Sequence, residues 1–96
     1  MQTLLYNIAG SVGVKLSGTH SLFNSAVFMP ISGFTAAGVP MYNNSTVYIG
    51  VESGKYAYAL PTGQNISWAL DMREKDSIAN FWIYGTAPNG VYVQMY

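Results

Sequence analysis

The sequence is short of charge. Its 96 residues include four Lys plus Arg and four Asp plus Glu, so charged residues make up 8% of the chain and the net charge is zero. An average soluble domain has about 25% charged residues, and a net charge near zero favours association. No basic stripe is present to contact a row of phosphates, which removes the main electrostatic contribution to nucleic-acid binding. We therefore expect a protein that associates with other proteins and does not bind nucleic acid.

Cysteine is absent, which excludes disulfides, thiolate catalysis and cysteine-ligated zinc. A composition without cysteine suits a protein made in a reducing cytoplasm. Long hydrophobic runs are missing too, because the longest falls well short of the ~20 apolar residues that a membrane-spanning helix needs. These absences predict a protein that is made in the cytoplasm and has no membrane partner.

Histidine is almost absent, and His20 is the only candidate for a general base. A catalytic histidine needs a partner that orients it, and a metal site needs several ligands. No Asp or Glu lies close to His20 in the sequence, where turn residues surround it. We therefore interpret His20 as a turn residue.

The carboxylates are equally unpromising as catalysts. A glycosidase needs two carboxyl groups at a controlled separation across a groove, whereas Asp71, Glu74 and Asp76 alternate with basic residues in a self-neutralising segment. A calcium site would need a denser run of oxygen ligands and a turn glycine. Glu52 stands apart from the others. The sequence thus predicts no catalytic residue, no metal, no cofactor and no enzymatic activity.

What the sequence has in abundance is alternation of apolar residues with Tyr, Ala, Ser and Gly. Side chains of a strand point to opposite faces with a period of two, so this pattern predicts half-buried strands. Turn residues such as Pro61-Thr62-Gly63 separate the segments. The predicted strands are residues 4–8, 12–16, 27–31, 47–51, 56–60, 66–70 and 91–96, together with residues 81–84, which are apolar on both faces and are predicted to be buried on both.

Short strands at this spacing are typical of a sandwich. We predict one domain over residues 1–96, an all-β antiparallel β-sandwich of jelly-roll type with about seven to eight short strands and little or no helix. A single helical turn is allowed at residues 73–78. Pro30 should end its strand or lie on an edge, Asn89-Gly90 indicates a hairpin, and residues 33–46 are predicted to be a loop.

Several segments, taken together, resemble a known protein family. Residues 44–51 (Asn-Ser-Thr-Val-Tyr-Ile-Gly-Val) resemble a strand of the type "small residue, VYVG", and residues 58–68 (Tyr-Ala-Leu-Pro-Thr-Gly-Gln-Asn-Ile-Ser-Trp) resemble "L-x-P-G-x-S-I-S-L". Residues 83–85 and 90–96 resemble "IYV-x-G-x-x-G-x-V-x-V", and residues 12–22 resemble an opening "V-x-L-x-G-T-x-Q-x-L" strand. This order of motifs resembles a widespread group of small virion proteins of tailed bacteriophages. Residues 33–46 are longer than the usual connection, and residues 71–80 are an added or variable segment.

The resemblance implies a non-enzymatic β-sandwich in the capsid or tail of a phage. The expected function is that of a capsid decoration or cement protein, which binds the major capsid protein or another virion protein as a homo-oligomer, with a trimer as the first expectation. The alternative is a tail, fibre or baseplate component that binds a neighbour or a host glycan. A second alternative is a small carbohydrate-binding module, because exposed aromatic residues can stack on sugar rings.

The aromatic residues have two possible places. We expect Trp68, Phe81 and Ile83 to fill the core, while Tyr48, Tyr84 and Tyr92 face outward, since Tyr is favoured at protein interfaces. Residues 33–46 offer further apolar side chains without strand alternation, so these should not all enter the core. The residues predicted to contact a partner are Leu4, Tyr6, Phe34, Val39, Met41, Tyr42, Tyr48 and Tyr92.

Overall fold

The computed structural model describes residues 2–8, 14–15, 22–51, 58–69, 76–86 and 88–96, and for residues 14, 15, 69, 76 and 79 it describes the backbone alone. These ranges contain twelve strands and one 3-10 helical turn, Ile78–Asn80. The strands are β1 (Gln2–Asn7), β2 (Val14–Lys15), β3 (Leu22–Phe23), β4 (Ser25–Met29), β5 (Ile31–Phe34), β6 (Pro40–Tyr42), β7 (Val47–Gly50), β8 (Tyr58–Leu60), β9 (Ile66–Ala69), β10 (Asp76–Ser77), β11 (Trp82–Tyr84) and β12 (Gly90–Met95).

Eight of these strands form two four-stranded antiparallel sheets. The first sheet has the order β1-β12-β4-β9 and the second the order β2-β11-β7-β8. The remaining strands form the two-stranded sheets β3-β10 and β5-β6. The first strand therefore pairs with the last, β2 with β11, β4 with β9, and β7 with β8, which is the pattern of one long hairpin rolled into two sheets. This connectivity is that of a jelly roll, and it confirms the predicted all-β sandwich.

One hydrophobic core lies between the two sheets. In the first sheet Val93 of β12 is directly opposite Phe28 of β4, and both are almost completely buried. In the second sheet Ile49 of β7 is opposite Ile83 of β11, and both are buried in the same core cluster. The alternate residues of these strands point outward, because the side chains of a strand change face at every residue. The predicted alternation thus gives each sheet its inner face.

The aromatic residues of the core form a connected group. The ring of Phe81 is fully buried and lies 5.9 Å from Phe23, 5.2 Å from Phe28 and 5.3 Å from Trp68, measured between centroids. Trp68 is half-buried and also meets Tyr58 edge to face at 5.4 Å. Phe81 and Ile83 belong to the core as predicted, whereas Trp68 is partly buried and packs against the core cluster.

Several details of the prediction were wrong. The strand at residues 81–84 is not buried on both faces, since Tyr84 is exposed and Trp82 is half-buried. Asn89-Gly90 does not close a hairpin, because β11 and β12 belong to different sheets. The prediction for Pro30, by contrast, was confirmed. The strand that contains Val27 ends at Met29, directly before Pro30, which was one of the two stated alternatives. The prediction of about seven to eight strands compares with eight in the two large sheets and four more in the two small sheets of the described residues.

Residues 33–46 are not a loop throughout. β5 and β6 pair as an antiparallel hairpin, in which Gly33 is opposite Met41 and Phe34 is opposite Pro40, with a register shift between Ile31 and Gly33. The connecting turn closes with a hydrogen bond from Gly38 N to Thr35 O, and Gly38 has a φ of 82°, a conformation that glycine adopts without steric cost. β5 and β6 are too short to show a clear alternation of apolar and polar residues, and the register shift in β5 interrupts the alternation further.

Candidate interaction surface

The β5–β6 hairpin lies in the connection that leads from β4 of the first sheet to β7 of the second sheet. It packs on the outer face of the first sheet. The Phe34 ring meets the Tyr92 ring of β12 edge to face, with centroids 5.1 Å apart and an interplanar angle of 82°. Asn7 at the end of β1 donates its side-chain Nδ2 hydrogen to the backbone oxygen of Ser32. Ser32 Oγ donates in turn to Met41 O at 3.1 Å. β5 is therefore the strand that holds the hairpin on the sandwich.

The other strand and the turn are exposed. Val39 is 56% exposed, Met41 44% and Tyr42 60%, and Phe34, despite its contact with Tyr92, is 40% exposed. These four side chains lie outside the core cluster. Exposed apolar side chains grouped in one short segment are candidates for contact with a partner protein. Phe34, Val39, Met41 and Tyr42 are called the hairpin surface below.

A buried asparagine fixes the base of the hairpin. Asn43, only 3% exposed, donates Nδ2 to Gly90 O at 2.7 Å and accepts from Gly90 N through Oδ1 at 2.9 Å. Its own backbone N–H donates to Pro30 O at 3.0 Å, and Thr62 Oγ1 donates to Asn43 O at 3.0 Å. Since four chain segments meet at this residue, the hairpin leaves the sandwich in a defined direction.

A second buried asparagine braces the same region. Asn89 is 1% exposed; its Oδ1 accepts from Asn44 N at 2.9 Å, and its Nδ2 donates to Ser45 Oγ. Its backbone oxygen accepts from Ile8 N at 2.9 Å. The sequence presents Asn43 and Asn89 as turn residues; their burial follows from strand pairing that brings distant turns together, so only the structure could reveal this network.

Two residues of β1 that were predicted to contact a partner, Leu4 and Tyr6, do not lie on the exposed face of the strand. Leu4 and Tyr6 are half-buried and pack against the core, and Leu4 is directly opposite the buried Val93. The exposed residue is Leu5 between them, which is 39% exposed and directly opposite Tyr92. The alternation of β1 could have identified Leu5 if the inner face of the strand had been known. Contact of Leu4 and Tyr6 with a partner remains a prediction.

Aromatic residues also mark the outer face of the second sheet. Tyr48 of β7 is directly opposite Tyr84 of β11, and both are exposed. Two positions further along the same pair of strands, Trp82 is opposite Gly50. Tyr48 and Tyr84 point outward as predicted, and the structure adds their direct juxtaposition. The hairpin surface and this tyrosine pair lie on different sheets.

No charged side chain occurs among those that the structure describes. His20, Glu52, Asp71 and Glu74 lie outside the described residues, and for Asp76 only the backbone is described. Within the described ranges no group of three His, Asp or Glu residues is placed to hold a metal, and no pocket is present. No helix among these residues is long and apolar enough to cross a membrane. What the described surface offers is uncharged apolar and aromatic contact area.

Comparison of the chain with protein-family models, with curated proteins and with solved structures found no match.

Proposed function

We propose that this chain is a non-enzymatic structural protein of a bacteriophage particle, a decoration or cement protein that binds the capsid shell as a homo-oligomer. The single observation that carries the proposal is the hairpin surface, a group of four exposed apolar side chains in one short hairpin of a jelly roll with few charged residues. The jelly roll is a fold of viral capsid proteins and of lectin domains. Because a fold hosts many functions, the proposal rests also on the order of motifs in the sequence and on the surface itself.

Binding to a shell suits a small surface of this kind. The hairpin surface has few residues and no charges, so one copy would bind weakly. A repeating lattice lets an oligomer engage several equivalent positions at once, and the linked contacts then add up through a high effective concentration. The proposed partner is the major capsid protein or another protein of the particle surface.

Co-sedimentation with shells that lack the chain tests the proposal. Shells of the phage whose genome encodes the chain should retain the purified protein at saturating, stoichiometric occupancy. The double variant Phe34→Ser/Met41→Ser should bind at least roughly tenfold more weakly, because truncated interface anchors cost about 1–4 kcal/mol each. The matched control Tyr48→Ser/Tyr84→Ser changes the other exposed aromatic surface and should bind like the parent. A parent protein that stays in the supernatant would refute the proposal.

A tail or fibre component is the second candidate, and the opposition of Tyr48 and Tyr84 favours it. Two exposed tyrosines side by side on a flat sheet face offer a stacking surface for a sugar ring, an aromatic contact of the type that also holds nucleic-acid bases. In that case the parent should bind a glycan array, and the Tyr48→Ser/Tyr84→Ser variant should lose the signal while Phe34→Ser/Met41→Ser keeps it. An array without signal for the parent removes this candidate.

A further inference from the structure

β1 is an edge strand of the first sheet, and within the described residues only one of its two sides is paired. Its six residues pair with β12 in an unbroken register that runs from Gln2 opposite Met95 to Asn7 opposite Gly90. The other edge strands of the two large sheets are shorter as described, with four residues in β9, three in β8 and two in β2. The unpaired side of β1 is therefore the longest open edge of the two large sheets in the described part of the chain.

The hydrogen bonds at the end of β1 show which backbone groups face the unpaired side. Ile8 N donates to Asn89 O at 2.9 Å, and this pair continues the register of β1 with β12 by one residue. In an antiparallel ladder, residues that bond to the neighbouring strand alternate with residues whose N–H and C=O point the other way. The backbone N–H and C=O groups of Thr3, Leu5 and Asn7 therefore point away from β12.

Gly90 supports the same alternation. It is directly opposite Asn7, yet both its N–H and its C=O bond to the side chain of Asn43. Gly90 and Asn7 therefore exchange no hydrogen bond across the ladder, as expected if the backbone groups of Asn7 face the unpaired side. Among the described residues, no backbone group bonds to those of Thr3, Leu5 or Asn7 on that side.

The unpaired side of β1 has none of the features that normally protect a strand edge. Edge strands are protected by Lys, by Pro, by bulges or by being very short. β1 has the sequence Gln-Thr-Leu-Leu-Tyr-Asn, without charge, proline or glycine, and its register with β12 has no irregularity. The edge strand β2, by contrast, is two residues long and contains Lys15. Nothing in β1 itself opposes the addition of another strand.

The side chains of β1 would also gain from a further strand. Leu5 is 39% exposed on the outer face, and Leu4 and Tyr6 are only half-buried although they pack against the core. Their neighbour Val93 on β12 is completely buried. The core is thus less well covered at β1 than one strand further in, and an added strand would cover these side chains.

We propose that the unpaired side of β1 pairs with β1 of a second copy of this chain, antiparallel and across a two-fold axis at Leu5. This register places Leu5 opposite Leu5 of the second copy and Thr3 opposite Asn7 of the second copy. All three residues with unpaired backbone groups then find partners, and main-chain bonds of this kind give strand addition its affinity. Residues that face the same side of the sheet also lie opposite each other, as antiparallel pairing requires.

The second copy is the occupant that these observations favour. An antiparallel edge is its own complement across a two-fold axis, which is the usual symmetry of a homodimer. Like charges directly opposite each other destabilise strand pairing, and β1 brings none. A charged strand of another protein would gain no ion pair from β1, whereas its own copy loses nothing by the absence of charge.

The proposed pairing also determines where the two hairpin surfaces lie. It joins the two first sheets into one sheet in the order β9-β4-β12-β1-β1-β12-β4-β9. The two-fold axis is perpendicular to this sheet, so both outer faces, with their hairpins, lie on the same side. The contact closes after two copies and therefore predicts a dimer, not the trimer that was the first expectation. The inference rests on the proposed function for the role of this dimer, which would bind two sites of the shell at once.

Charge placed at the proposed axis tests the inference. In sedimentation velocity over a range of concentrations, the parent should form a dimer. Leu5→Lys places two like charges opposite each other, so the dissociation constant should rise by roughly tenfold or more. The matched control Ser67→Lys changes an exposed residue of β9, the other edge strand of the same sheet, and should change the constant by less than about threefold. A parent that is monomeric at all concentrations overturns the inference, and so does equal weakening by both variants.

Opposite charges should restore the contact. Leu5→Glu alone should weaken the dimer as Leu5→Lys does. An equal mixture of the two variants should form a heterodimer, because Lys and Glu then face each other across the axis. This recovery would identify the second β1 as the occupant and Leu5 as the residue at the axis, and a mixture that stays monomeric would overturn the inference.

A disulfide gives an independent positive result. Because the chain has no cysteine, the thiol of Leu5→Cys can pair only with that of another copy. Residues of a hydrogen-bonded antiparallel pair have Cα atoms about 5.5 Å apart, which lies within the range of a disulfide. Mild oxidation should link Leu5→Cys into a covalent dimer and leave Ser67→Cys unlinked, and the reverse pattern would overturn the inference.

The dimer and the shell are tested separately. A dimer that behaves as described and does not co-sediment with shells refutes the proposed function and leaves the inference standing. A monomeric parent that binds shells, and loses that binding in Leu5→Lys, would show that a strand of the shell occupies β1; this overturns the inference and keeps the proposed function.

Circular dichroism and thermal unfolding establish that each variant is folded. If Leu5→Lys does not fold, Thr3→Pro replaces it, because proline removes an N–H that faces the unpaired side and no bond to β12. Its matched control is Ser67→Pro on β9. Thr3→Pro should weaken the dimer and Ser67→Pro should not, and equal dissociation constants for the two would overturn the inference.

Discussion

Asn43 and Gly90 are joined by two hydrogen bonds, from Asn43 Nδ2 to Gly90 O at 2.7 Å and from Gly90 N to Asn43 Oδ1 at 2.9 Å. One side-chain amide thus pairs with both polar groups of a strand residue, much as a neighbouring strand would. The contact ties the segment after β6 to the first residue of β12, although the two residues are far apart in the sequence. Together with the contacts of β5 to Asn7 and Tyr92, it fixes the position of the hairpin on the sandwich.

Removal of this side chain should destabilise the fold. Asn43→Ala leaves the buried N–H and C=O of Gly90 without their partner, and each unsatisfied buried group costs about 1–3 kcal/mol. We expect the free energy of unfolding in urea to fall by about 2–4 kcal/mol. The adjacent Asn44 is exposed and contributes its backbone N–H to Asn89, so Asn44→Ala should change stability by less than about 0.5 kcal/mol. Equal losses for both variants would contradict this account of Asn43.

Gly90 itself should not tolerate a side chain. A Cβ at this position would lie 2.5 Å from Tyr6 O and 3.1 Å from Asn7 Nδ2, so β1 would have to move. Gly90→Ala should cost about 1–3 kcal/mol or more. Gly63→Ala is the comparison, because it meets open space and is strained only by its φ of 83°; this costs about 1–2 kcal/mol. Chemical denaturation should therefore rank Gly90→Ala as the more destabilising variant, and the opposite order would show that β1 adjusts easily.

The two phenylalanines with different environments give a test of the core. Phe81 is fully buried and touches three aromatic rings, so Phe81→Ala should cost about 3–5 kcal/mol. Phe34 makes one edge-to-face contact and is 40% exposed, so Phe34→Ala should cost no more than about 1.5 kcal/mol. Thermal unfolding of the two variants under identical conditions measures the difference. A larger loss for Phe34 would mean that the hairpin belongs to the folding core.

Association through an uncharged surface should respond little to salt. Charged contacts weaken as the Debye length falls from about 10 Å at 0.1 M salt to about 3 Å at 1 M. Apolar contacts are not weakened by this screening, and sulfate strengthens them. We therefore expect the proposed homo-oligomer to persist between about 0.1 M and 1 M sodium chloride and to bind more tightly in sulfate. Dissociation with rising sodium chloride, followed by light scattering, would show that charged residues form the interface.

The sequence predicted the fold where alternation was long and regular. β7, β9 and β12 were recognised because apolar residues recur at every second position. The β5–β6 hairpin was missed because each strand is short, Gly33 contributes no side chain and the register shifts. Alternation does not say which face is inner when both are partly apolar, and this is why Leu4 was predicted to contact a partner while Leu5 was overlooked.

The order of the strands could not be derived from alternation. β1 pairs with β12, and their residues come from opposite ends of the sequence. The buried Asn43–Asn89 network depends on that pairing, because it unites turns that are distant in the chain. The exposure of the hairpin surface was partly predictable, since Phe34, Val39, Met41 and Tyr42 had no regular place in a strand pattern. Their contact with a partner remains a prediction.

A reconstruction of the intact phage particle at residue resolution tests the central claim most directly. The account predicts density for this jelly roll on the capsid shell, in symmetric clusters in which the hairpin surface of each copy contacts a neighbouring protein of the particle. Density for the chain only in the tail, or its absence from the particle, would contradict the account.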